Sequence, residues 1–184
     1  MILELCQLLS TAWHMLDNTD AIDLTATGKI YKKTHYNHPC AIWTRNHLNN
    51  YTYVAKLALA LCDEWRFRYG HPITKIHACE PKLLFLLSNP PPSISRLSNE
   101  ISKKNPLGFT LPMPQAMFEE CRWRPTKLSA AVCMTAYRRY YMSTHKAHLT
   151  SWTRVGTKIT KSTNSTGSTL KKRIDLPKPY WWKK

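Results

Sequence analysis

The chain has 184 residues, of which 43% are hydrophobic, with 27 Lys and Arg against 11 Asp and Glu and a formal net charge of +16. That is enough apolar material for one folded core. No apolar run reaches the roughly 18 residues of a membrane-spanning helix, and the segment from Met1 to Met15 carries Glu4 but no Lys or Arg, unlike an export signal.

The opening run Ile2, Leu3, Cys6, Leu8, Leu9, Ala12, Trp13 and Leu16 has helical spacing, and Asp17-Asn18-Thr19-Asp20 reads as its exit. Residues 17–39 lack periodicity and hold Gly28, Lys32-Lys33 and His35-Tyr36-Asn37-His38-Pro39, which predicts a loop. From Cys40 to Tyr69, the positions Trp43, Asn46, Asn50, Val54, Leu57, Leu61 and Trp65 recur every three or four residues. One long helix is expected there, entered at Pro39 and stopped by Gly70 and Pro72. A further helix is expected over Ile73 to Leu87, ended by Asn89-Pro90-Pro91-Pro92. The proline-rich stretch 88–114 reads as a connector with a short helix around Ile94 to Lys103.

Thr126 to Thr144 is helical again, with Ala130, Cys133, Met134, Tyr137 and Tyr141 as its apolar face and Arg138, Arg139 and Lys146 as its cationic side. From Gly156 onward Ser, Thr, Lys and Gly dominate without a period, up to Tyr180-Trp181-Trp182. The expected fold is therefore all-α. Residues 1–155 form a small helical nucleic-acid-binding domain around one long central helix, and 156–184 form a basic, aromatic-ended flexible tail.

Six cysteines occur without a C-x-x-C pair or a finger-like spacing, so no zinc site is expected. Cys6, Cys62 and Cys133 sit in apolar helical patterns, which suits core thiols in a reducing, intracellular compartment. Residues 1–28 hold Glu4, Asp17, Asp20 and Asp23 and no Lys or Arg, so all 27 basic residues lie beyond them. Such an excess favours phosphate backbones, because each neutralised phosphate releases condensed counterions.

No Walker loop, dinucleotide-binding turn, H-E-x-x-H pair or nucleophile elbow is present, and the acids are too scattered for a two-metal nuclease. No metal or cofactor is expected. What remains is a basic surface interleaved with rings that can stack on bases. The candidate contacts are His38, Arg45, Asn46, Asn50, Arg66, Arg68, Tyr69, Arg138, Tyr140, Lys146, Trp181 and Trp182. Competing structural roles are core packing for Trp43, Trp65 and Tyr137, a favourable helix dipole for Arg66 and Arg68, and hydrogen bonding to backbone carbonyls for His35, His38 and His47.

Several motifs carry a resemblance: M-I-L-E-L-C-Q-L-L at 1–9, Y-K-K-T-H-Y-N-H-P-C-A-I-W at 31–43, and N-Y-x8-A-L-C-D-E-W-x-F-R-Y-G at 50–70. L-P-M-P at 111–114, A-Y-R-R-Y-Y at 136–141 and P-x-P-Y-W-W at 177–182 extend it. These resemble phage and large-virus proteins similar to pyrimidine dimer DNA glycosylases of the endonuclease V type. The resemblance implies an all-α monomer that binds damaged double-stranded DNA, flips a nucleotide, and attacks the sugar C1′ with an N-terminal amine to give a Schiff base. The position resembling the family's stabilising glutamate is Glu4, which suits a cationic sugar transition state. The same resemblance directs His38, Arg45 and Arg68 to the DNA backbone or the extruded nucleotide, and Trp181-Trp182 to the lesion.

Proteins of that kind begin upstream of the M-I-L-E segment, with a D-x-H motif there. The expectation for this chain is a missing nucleophile, as in a truncated enzyme or a relative that binds without cutting, unless the Met1 amine substitutes. The alternative from another class is a non-catalytic basic nucleic-acid-binding or assembly protein, ribosomal or virion, with RNA as its ligand. A different base-modifying chemistry on the same scaffold is a third reading.

Overall fold

A computed structural model describes residues 1–104, 113–123, 130–144, 153–155 and 173–175. The described elements are α1 (Ile2–Leu16), α2 (Asn18–Ala26), α3 (Pro39–Asn46), α4 (Leu48–Tyr69), α5 (Glu80–Ser88), α6 (Pro92–Lys104), a short 3-10 turn (Glu119–Cys121) and α7 (Ala130–Met142). The fold is all-α. One small ribbon accompanies the helices: β1 (Thr153–Val155) runs antiparallel to β2 (Arg173–Asp175), with Arg154 opposite Ile174. Of the segment 156–184, only Arg173–Asp175 is described. No described helix is long and apolar enough to cross a membrane.

The longest helix, α4, shares the centre with α1. Residues 9 to 13 of α1 are buried on every side, because α2, α3, α4 and α5 all pack against it. Its buried polar atoms are satisfied, as an enclosed helix requires. Ser10 Oγ donates to the Cys6 carbonyl at 2.8 Å, and Trp13 Nε1 donates to the Asn89 carbonyl at 3.2 Å. Tyr51, 1% exposed, donates its hydroxyl to the Leu86 carbonyl at 3.2 Å and thereby ties α4 to α5. Cys6, Cys62 and Cys79 meet in this core, where burial pushes the Cys6 thiol up to about 12 and the Cys62 thiol up to about 11. Thiols held so far from ionisation are poor nucleophiles and behave as apolar packing.

The structure corrects several expectations. Residues 17–39 are not all loop: Asn18–Ala26 is helical, and its only buried residue is Ala21, too weak a stripe to register as a period. The long helix expected from Cys40 to Tyr69 breaks at His47, whose extended backbone (φ −157°, ψ 142°) ends α3 and caps α4. Of the stripe expected on α4, Asn50 and Val54 are buried, together with Tyr51, Ala55, Ala58 and Cys62, while Leu57, Leu61 and Trp65 are only partly buried. The helix expected at Ile73 begins only at Glu80. On α7 the buried residues are Val132, Cys133 and Ala136, while Met134 is 53% exposed. Pro39 at the start of α3 and left-handed Gly70 (φ 63°) at the end of α4 stand as expected.

Candidate nucleic-acid interface

The loop between α2 and α3 is fixed from behind. Gly28 turns the chain with φ 72°, a conformation that suits glycine, and Ile30 is buried. Thr11 on α1 then holds Thr34 reciprocally: its hydroxyl donates to the Thr34 carbonyl at 3.0 Å and accepts from the Thr34 N–H at 3.2 Å. Arg45 on α3 donates to the Tyr36 carbonyl at 2.6 Å. Between these anchors His35 has φ 45°, a left-handed conformation uncommon for a residue with a Cβ. Lys32, Lys33, His35, Tyr36, Asn37 and His38 are all exposed on the outer side. Lys33 Nζ stands 5.2 Å from the Tyr36 ring centroid.

His38 and Arg45 therefore belong to one cluster, in different roles. His38 Nδ1 accepts from the Cys40 N–H at 3.2 Å and caps α3, so its other ring nitrogen is left toward the exposed side. Arg45 is half-buried, and burial lowers its guanidinium from the ordinary value. It braces the loop through the Tyr36 carbonyl.

The remaining candidates fall elsewhere. Asn46 is exposed at the end of α3, but Asn50 is 3% exposed and donates to the Trp43 carbonyl at 2.8 Å, a bond that spans the His47 break. Arg66 is drawn inward between Asp63 at 2.5 Å and Glu80 at 2.6 Å, and Arg68 pairs with Glu64 at 2.5 Å. Both cations are spent on carboxylates. Tyr69 is 55% exposed and stacks near His71, with centroids 6.1 Å apart.

Arg138 and Tyr140 lie on α7, whose inner side clamps the segment 113–123. Tyr137 donates to the Pro114 carbonyl at 2.8 Å and accepts from the Ala116 N–H at 3.2 Å, and Cys133 Sγ donates to the Met113 carbonyl at 3.1 Å. The Cys40 thiol of α3 faces the same Tyr137 hydroxyl, which sets α7 beside the start of α3. Lys146, Trp181 and Trp182 lie outside the described residues.

Glu4 has its side chain 75% exposed, 3.5 Å from the Met1 amine. Among the described residues no hydrogen bond or ion pair joins it to the basic loop, and no three His, Cys, Asp or Glu side chains gather as a metal site would require. The fold and this surface define an all-α chain with a braced basic loop. No family model, curated protein or solved structure matches it.

Lys32, Lys33 and Tyr36 of the loop, and Thr11 of α1 behind it, are not among the contacts expected from the sequence. The run Tyr31 to Pro39 is visibly basic and aromatic, but the anchoring role of Thr11 depends on a contact 23 positions away.

Proposed function

We propose that this protein binds double-stranded DNA through the 32–38 loop and the adjoining start of α3. The observation that carries the reading is the double anchorage of that loop at Thr34 and Tyr36, which holds two lysines, two histidines and a tyrosine outward in one conformation. Cations fixed in advance lose little side-chain and backbone freedom on meeting phosphates, so more of their interaction energy is realised as affinity. Replacing Lys32 and Lys33 together by Ala should weaken binding to a labelled duplex at least about tenfold at low salt, read by fluorescence anisotropy. Unchanged affinity contradicts the assignment.

The resemblance to pyrimidine dimer glycosylases adds a DNA-repair activity to this binding, with Glu4 as the carboxylate that stabilises the cationic sugar and an amine that forms the Schiff base. Borohydride trapping on a duplex with an abasic site tests it. A covalent adduct, mapped to one amine and lost in Glu4→Gln while duplex affinity stays, supports a glycosylase/lyase. The second reading is a non-catalytic DNA- or RNA-binding protein, and the 75% exposure of the Glu4 side chain favours it, since a carboxylate in water exerts a weak field. Under that reading no adduct forms and Glu4→Gln changes nothing.

A further inference from the structure

Phe118 is 53% exposed and Trp123 37% exposed, on a segment that α7 holds at Met113, Pro114 and Ala116. The Trp123 backbone is gripped on both sides by one amide: Gln115 Oε1 accepts from the Trp123 N–H, and Gln115 Nε2 donates to the Trp123 carbonyl, each at 2.7 Å. The Arg139 guanidinium lies 4.9 Å from the Trp123 ring centroid. Phe118 and Tyr140 meet edge to face at 6.2 Å, and Tyr141 continues the row 6.0 Å from Tyr140. Rings this exposed, on a backbone this constrained, are not needed to fill a core. Arg138 and Arg139 precede Tyr140 on the same helix and supply cations to this face, while Arg122 is paired with Glu119 at 2.6 Å and Glu120 lies next to it.

An exposed ring with one guanidinium over it, as Arg139 lies over Trp123, suits a flat aromatic heterocycle attached to a phosphate. In an intact duplex the base faces are covered by their neighbours, so only an unpaired strand can use such rings. We infer that Phe118, Trp123, Arg139 and Tyr140 form a stacking platform for unpaired bases of single-stranded nucleic acid, separate from the phosphate-binding loop. The inference rests on the nucleic-acid reading above and adds the form of strand that the α7 face takes.

The test compares three labelled probes of equal length on the full chain: an oligothymidylate, a backbone of abasic units carrying the same charge, and a blunt duplex. The oligothymidylate should bind about tenfold or more tightly than the abasic strand, the difference that one or two stacked bases provide. Phe118→Ala with Trp123→Ala should erase that difference and leave duplex affinity within about twofold, while Tyr140→Phe, which keeps the ring, retains it. Equal binding of oligothymidylate and abasic strand overturns the platform without touching the duplex reading, and needs no variant to fold. Equal loss on single strand and duplex in the double variant also overturns it. Failure of the wild-type chain to bind any probe removes the nucleic-acid reading and the platform together.

Discussion

Glu80 and Arg66 form an ion pair whose side chains are only 16% and 14% exposed, and the His77 N–H is a second partner of the Glu80 carboxylate at 3.3 Å. The Arg66 guanidinium holds the Glu80 carboxyl below its ordinary range. A carboxyl depressed in the folded state stabilises that state above the unfolded value, near ~4.3, and the contribution disappears as pH falls through the lower folded value. Glu80→Gln should therefore cost about 2 kcal/mol near neutral pH, the scale of a charged hydrogen bond. Melting curves of the two proteins should converge in acid below that range. A gap that persists there contradicts the assignment. His47 offers a second case: it is 7% exposed and its Nδ1 accepts from the Asn49 N–H at 3.1 Å. His47→Ala should lower stability by about 1 kcal/mol or somewhat more, and His47→Asn by less, because Asn keeps an acceptor for the same N–H. Equal losses in thermal melts would show that the ring's packing, not its cap, is what matters.

Histidine caps recur along the helices: His38 opens α3, His47 opens α4, and His77 Nδ1 accepts from the Cys79 N–H at 3.1 Å just before α5. This explains which elements were legible. Proline and glycine act through their own backbone, so the start of α3 and the end of α4 could be read from Pro39 and Gly70. A histidine cap leaves no such mark, and the apolar spacing runs through His47 unbroken, so one helix was expected where there are two. Orientation was equally hidden. Asn50 and Arg66 share surface-like chemistry with Asn46 and Arg68, and only the fold turns the first inward and surrounds the second with carboxylates. The cluster Lys32 to His38 was visible as basic and aromatic, but its shape comes from Thr11 and Arg45. Thr11→Val keeps the buried volume and removes both hydrogen bonds to Thr34. It should speed hydrogen exchange at the Thr34 amide, lower stability by about 1 to 2 kcal/mol and weaken duplex binding several-fold. Unaltered exchange and affinity would show that the anchor is dispensable.

Over the whole molecule, charge and fold separate two territories. The first 28 residues carry Glu4, Asp17, Asp20 and Asp23 without a cation, and Asp17 is already spent, accepting from the Ser93 N–H at 3.1 Å and the Ser93 hydroxyl at 2.6 Å. All 27 Lys and Arg residues follow, some folded into internal ion pairs and others left at the surface of the loop and α7. Net charge alone attracts polyanions without orienting them, whereas an anchored loop releases a definite number of counterions. The most direct test of the account is duplex affinity as a function of salt, for the wild type and for Lys32→Ala with Lys33→Ala. The account predicts a steep linear fall of log affinity with log salt, and a slope shallower by about two in the variant, one for each lost phosphate contact. Parallel slopes for the two proteins, or no duplex binding at low salt, would contradict it.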